Sequence, residues 1–275
     1  SKLKIVSTLP SVMRKSRLQM NPAFARAHGL RAGENPTAEL TTGAFRLETA
    51  IMDARKSGHL RLNNAGIGLP NEIFELSASL KVNLSMDNQQ SAYQHTEDTL
   101  TIVDLSDNDL ITGEFDERFT KFSRAQQLYF KRCQWNKMTV SLTSLESLKV
   151  LDLSGNQLTS FDMNLLPPSL HELNLSGNRL EVVNSSDDSV TIQLQVLDIS
   201  HNKLKHLNDC HISCPDLRVF MCHHNYFSRL PTELLDTSMN QLESIDASYN
   251  MIADTLDLCR HKTLKTLNLG MNRMT

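Results

Sequence analysis

An asparagine returns every twenty-odd residues inside one fixed frame of apolar positions, L-x-x-L-x-L-x-x-N-x-L. Three copies carry it in full: Leu148, Leu151, Leu153, Asn156 and Leu158; Leu170, Leu173, Leu175, Asn178 and Leu180; Leu194, Leu197, Ile199, Asn202 and Leu204. The asparagine slot runs Asn108, Cys133, Asn156, Asn178, Asn202, Asn225, Asn250 and Asn272, at spacings of 25, 23, 22, 24, 23, 25 and 22 residues. A period of this length demands stacking, because a single unit has no second surface on which to bury its apolar side. The leucines alternate along a short strand and share one face, while the asparagine amide can both donate to and accept from the backbone of the following turn. A buried ladder of asparagines is the expected result.

Two weaker copies lie upstream. Val82, Leu84 and Asp87 fit the frame with Asp in the ladder, and Leu60, Leu62 and Ile67 fit it with Ala65 there, so the chain is expected to form about ten coils. The segments LPNEIF (Leu69 to Phe74) and LPTELL (Leu230 to Leu235), with ARKSGHLRLNNAGIGLP from Ala54 to Pro70, resemble the intracellular leucine-rich-repeat proteins of the typical, Ras-suppressor-like class, over roughly residues 39–275. The resemblance implies an α/β solenoid with a parallel sheet on its concave face and irregular or short helical segments on its convex face. It implies an architecture and no particular ligand.

Three regions follow from the pattern. Residues 1–38 read as an extended basic arm, residues 39–58 as an N-terminal capping helix, and residues 59–275 as the solenoid. In the helix Ala44, Leu47, Ile51 and Ala54 share a face and Gly58 ends it. The stretch from Asn88 to Thr99 and the NSSDD stretch from Asn184 to Asp188 read as loops. The last ladder residue lies close to Thr275, so the final coil is expected either to be continued by further chain or to be covered by a partner.

Charge is uneven. Residues 1–33 contain Lys2, Lys4, Arg14, Lys15, Arg17, Arg26 and Arg31 and no acid, whereas the whole chain has a net charge of −3. Such an arm cannot bury enough apolar surface to fold alone, and Arg14, Lys15 and Arg17 are the residues expected closest to an acidic partner surface. Three homes fit a basic, acid-poor arm: a cytoskeletal or ciliary axonemal complex, a ribonucleoprotein touching RNA phosphate, or mitochondrial import. The first is favoured, because the rest of the chain is acidic and shows no basic stripe. Nucleic acid is the alternative partner.

No run of 18 apolar residues occurs, so no membrane partner is expected. Five cysteines placed inside repeats suggest reduced thiols and a cytoplasmic setting. The Asn-x-Ser triplets at Asn83, Asn174 and Asn184 then count as by-products of the repeat. No phosphate-binding loop, zinc-protease helix or nucleophile elbow is present, so no enzyme activity, catalytic residue or cofactor is expected.

A Cys/His-rich stretch contains His206, Cys210, His211, Cys214, Cys222, His223 and His224. The frame turns Cys222 inward and the two histidines outward. No metal site is expected from ligands that diverge within one coil.

The strand and turn positions that face outward point to a protein surface. The residues one and two before the ladder position, the one after it, and the one between the two strand leucines are expected on the concave side. In the C-terminal coils they include His201, Lys203, Met221, His223, His224, Tyr226, Tyr249, Met251, Met271 and Arg273; in an earlier coil they follow Asp104, Asp107 and Asp109 with Tyr129, Lys131 and Arg132. Aromatic, Met and Arg enrichment marks interfaces, so the expected role is a non-enzymatic scaffold within a large intracellular assembly.

Overall fold

The computed structural model describes residues 50, 53–54, 57–63, 100–108, 110, 114–115, 117–185, 191–207, 214–230, 241–253 and 263–273. The arm and most of the expected capping helix lie outside them. So do the Asn88 to Thr99 stretch, the segments 69–74 and 231–235, and the ladder positions Ala65 and Asp87.

Eleven short strands follow in order: β1 (His59–Arg61), β2 (Ile102–Asp104), β3 (Gln127–Tyr129), β4 (Val150–Asp152), β5 (Ser160–Asp162), β6 (Glu172–Asn174), β7 (Val182–Asn184), β8 (Val196–Asp198), β9 (Val219–Met221), β10 (Ser244–Asp246) and β11 (Thr266–Asn268). Nine make one sheet in the order β1-β2-β3-β4-β6-β8-β9-β10-β11, and each pairing is parallel. Because side chains alternate along a strand, the middle residue of each three-residue strand turns inward and its neighbours outward. Leu60, Val103, Leu128, Leu151, Leu173, Leu197, Phe220 and Ile245 form that inward file, each opposite the next, and all are buried. Leu267 closes the file in β11 and is 39% exposed, since among the described residues nothing packs beyond it.

The count of coils differs from the sequence expectation of ten. The sheet has nine strands among the described residues, and β1 pairs directly with β2, Leu60 opposite Val103. Val82 and Leu84 lie outside the described residues.

The asparagines satisfy backbone as the frame requires, each one tying its own coil to the coil before. Asn178 donates its amide to Leu153 O (3.0 Å) and Leu175 O (2.9 Å) and accepts from the Leu158 N–H (3.1 Å). Asn202 repeats this with Leu175 O, Ile199 O and Leu180 N–H, and Asn250 with Cys222 O, Ala247 O and Phe227 N–H. Cys133 fills the slot with a thiol that donates to Leu105 O at 3.3 Å, a weaker substitute for the amide.

The convex side is more ordered than the frame alone suggests. β5 and β7 form a second parallel pair, and 3₁₀ turns occupy Glu117–Lys121 and Met163–Leu165. Asn184, read as the start of a surface loop, is the last residue of β7, and the next residue, Ser185, is buried with its hydroxyl 3.3 Å from Asn164 Oδ1. Under β3 the core is aromatic. Phe115, Phe119, Phe130 and Trp135 meet at ring separations of 4.6 to 5.7 Å, which fills a coil where leucine is scarce. At the other end Ala50, Asp53, Ala54 and Ser57 are helical. Gly58, at φ 72°, then donates its N–H to Ala54 O (2.8 Å) in the left-handed conformation that glycine adopts without strain.

Cys133, Cys214 and Cys222 are buried. Burial pushes the Cys133 thiol up to about 12 and the Cys222 thiol higher, so neither supplies thiolate at neutral pH. Alkylation of the native protein followed by peptide mapping is expected to spare both. Labelling should appear only after denaturation.

Candidate functional site

The residue before each ladder position adopts a left-handed backbone in every described coil from β2 onward: Asp107, Arg132, Gly155, Gly177, His201, His224, Tyr249 and Met271, with φ between 52° and 68°. The chain must reverse there to enter the turn, and the ladder asparagine that follows ties the turn down. Two coils use glycine. The others carry a side chain at a backbone cost of about 1 kcal/mol each. That column stands outward, one coil above the next.

In the C-terminal coils the column is a stack of rings. His201 and His224 lie 4.2 Å apart at 18°, and His224 and Tyr249 lie 4.2 Å apart at 15°. Met271 continues it at 69% exposure, with Tyr249 at 49% and Tyr226, one position past the ladder, at 46%. His223 stands beside the stack, edge-on to His201 at 4.9 Å, and its Nδ1 is 2.9 Å from His224 Nδ1. One of those nitrogens must carry a hydrogen for the other to accept. One ring nitrogen from each of His201, His223 and His224 lies within 4.8 Å of the other two.

The remaining expected positions divide. Lys203 reaches Glu181 at 3.7 Å, Met251 and Met221 are half-buried, and Arg273 is exposed. Tyr129, Lys131 and Arg132 sit apart, three to six strands away in the sheet order. Arg132 is not a free cation. It forks onto both carboxylate oxygens of Asp107, with Nη2 to Oδ2 at 2.7 Å, and the pair holds the Asp107 carboxyl below the ordinary carboxylate range. Its side chain lies across Gly155, where an added Cβ would meet Arg132 Cγ at 2.7 Å. Tyr129 is pushed up by burial and by the charges of Glu172, Asp152 and Asp104, and it stays a neutral phenol.

Placing the residue two before the ladder on the open face needs correction. Ser106, Ser154, Ser200 and Ser248 occupy that slot and are buried. Their N–H groups donate to Asp104, Asp152, Asp198 and Asp246 Oδ1 at 2.8 to 3.0 Å, so the turn folds them in. His223 is too large for this pocket and stays half-exposed. Burial raises the Asp246 carboxyl, but the Ser248 and Asn268 hydrogen bonds and the charge of His223 outweigh it and leave it lowered. An acidic group therefore flanks His223.

Cys222 points inward, as the frame requires, and Cys214 is also buried away from the surface. His206 is exposed, and Cys210 and His211 lie outside the described residues. What the spacing missed is His201. Its signal was present in sequence, for it holds the same slot as His224 one coil earlier, and adjacent strands are only about 4.8 Å apart.

Residues 147–168, 169–189 and 193–215 match the Leucine Rich Repeat family model, and residues 98–114 match a second Leucine Rich repeat model. Podocan-like protein 1 of Homo sapiens is 29% identical over 211 residues, 75% of this chain and 36% of its own length. The leucine-rich repeat serine/threonine-protein kinase 1 of Mus musculus is 29% identical over 161 residues, 52% of this chain and 8% of its own. Toll-like receptor 6 of the same species is 31% identical over 131 residues, 47% and 15% respectively. The chain thus spans well under half the length of each of these relatives. Among solved structures, a leucine-rich repeat protein of Leptospira interrogans is similar at 20% identity and a TM-score of 0.46, over 83% of this chain and 70% of its own. The functional domain of InlJ from Listeria monocytogenes is similar at 22% identity and a TM-score of 0.47, over 79% and 40%.

Proposed function

We propose that this leucine-rich repeat solenoid is a non-enzymatic protein-interaction module, and that the ring column of its C-terminal coils is the principal contact. One observation carries the reading: His201, His224, Tyr249 and Met271 stand in an outward file on left-handed backbone, where two coils of the same chain use glycine instead. Stacked rings offer rigid apolar area with polar tips and lose little entropy on binding. Tyr226 widens that area from the far side of the ladder. The partner is another protein chain, and the setting is a fixed place in an intracellular assembly, the cytoskeletal or ciliary kind being favoured. The buried thiols of Cys133 and Cys222 and the basic arm support that setting. The arm supplies a second, electrostatic contact through Arg14, Lys15 and Arg17.

Tyr226→Glu places a charge in the contact and leaves the core untouched. Partners recovered with the wild-type chain by affinity purification are expected to be lost with this variant, while its circular dichroism and melting temperature stay the same. Recovery of the same partners at the same level by a folded Tyr226→Glu protein would overturn the assignment.

A further inference from the structure

We infer that His201, His223 and His224 form a binding site for a borderline divalent cation, Zn²⁺ in the first instance. Imidazole nitrogen suits this class of ion, and three protein ligands leave a fourth tetrahedral position open toward solvent on the concave side. The inference stands whether or not the same surface docks a protein.

Geometry supports it. At a Zn–N bond of about 2.0 to 2.1 Å, two nitrogens of a tetrahedral site are about 3.3 Å apart. Here one pair is already at 2.9 Å and all three lie within 4.8 Å. Two imidazole nitrogens that face each other at hydrogen-bond distance share a proton, and a third nitrogen close by cannot use the same one. A cation can serve all three. His201 and His224 are exposed, so their rings can swing inward by side-chain rotation without moving the strands. Parallel rings cannot both aim their lone pairs at one ion, and binding therefore opens the His201–His224 stack. Asp246, close enough to His223 to feel its charge, adds a negative flank that favours a cation.

The fold supplies its own controls. Glycine already occupies this slot at Gly155 and Gly177 with the same backbone, so His201→Gly and His224→Gly delete ligands while keeping a conformation the chain uses elsewhere. Met271→Gly makes the same backbone change without removing a ligand. His223→Asn removes the third imidazole by an independent route.

The experiment uses the full chain without a histidine tag. Zn²⁺ is titrated by calorimetry, and Co²⁺ by visible absorption, with circular dichroism confirming that each variant is folded. The wild-type chain is expected to bind one ion, with the Co²⁺ band intensity of a four-coordinate site. His201→Gly and His223→Asn should each weaken Zn²⁺ by about tenfold or more, since losing even an outer-shell partner costs 10- to 100-fold. The double His201→Gly/His224→Gly variant should lose saturable binding, and Met271→Gly should keep it. Absence of saturable binding by the wild-type chain overturns the inference. So does undiminished binding in the double variant or in His223→Asn, which would assign the ion to other histidines among the 10 in the chain.

Discussion

Asn178→Ala is expected to destabilise the solenoid by about 3 kcal/mol, a large effect for a side chain that contributes almost nothing to the apolar core. Its amide donates to the carbonyls of Leu153 and Leu175, and at a longer 3.5 Å to Ser176 O within its own turn, and it accepts from the Leu158 N–H. The first two carbonyls keep a partner after truncation, because Leu153 O still accepts from Asn156 and Leu175 O from Asn202. Leu158 N–H does not. It is left buried beside an alanine methyl, and an orphaned buried donor costs about 1 to 3 kcal/mol on top of roughly 1 kcal/mol for each further bond lost. Asn178→Cys should cost less, since a thiol already holds this slot at Cys133 and donates to the preceding coil. Urea unfolding of the three proteins measures the order. Equal losses for alanine and cysteine would mean that a thiol supplies no useful hydrogen bond in this slot.

Leu173→Ala and Leu197→Ala should each cost about 2 to 5 kcal/mol, the range for deleting a buried leucine from a site that cannot collapse. Both sit in the inward file with at most 4% exposure, Leu173 between Leu151 and Leu197, and Leu197 between Leu173 and Phe220. They face each other, so the double variant is expected to depart from additivity. A solenoid transmits stability only between neighbouring coils, and the loss should appear as faster amide exchange in β4, β6 and β8 before β2 or β10 responds. Uniform acceleration across all coils would show a single cooperative unit and would count against that picture. A change below about 0.5 kcal/mol, the size of a surface substitution, would mean that these leucines are not in the core at all.

Some features of the protein could be read without coordinates. The inward leucines, the ladder and the repeat length follow from periodicity, because a strand has only two faces and the frame fixes which one is apolar. Gly58 as a helix stop was equally legible, since glycine takes a left-handed cap without steric cost. Degenerate copies were less secure. Val82, Leu84 and Asp87 match the frame, yet a match of three residues does not decide whether a strand joins the sheet, and β1 pairs with β2 directly.

The surface was legible as composition and not as geometry. That His201, His224 and Tyr249 neighbour one another follows from register alone, but their stacking at 4.2 Å depends on the left-handed turn that carries them. Arg132 read as a free interface cation until folding placed it on Asp107, 25 residues earlier in sequence. Serines two before the ladder read as exposed until the aspartates of their own strands were seen to fold them inward. The histidine cluster is the clearest case. Its members fall in two coils, and a search for metal ligands by spacing looks within one. By itself the sequence determined which face of each strand is apolar and how often the chain turns, because both are set by period. Only the tertiary structure decided which side chains meet across coils, because those encounters depend on strand register, turn conformation and ring orientation, none of which local pattern encodes.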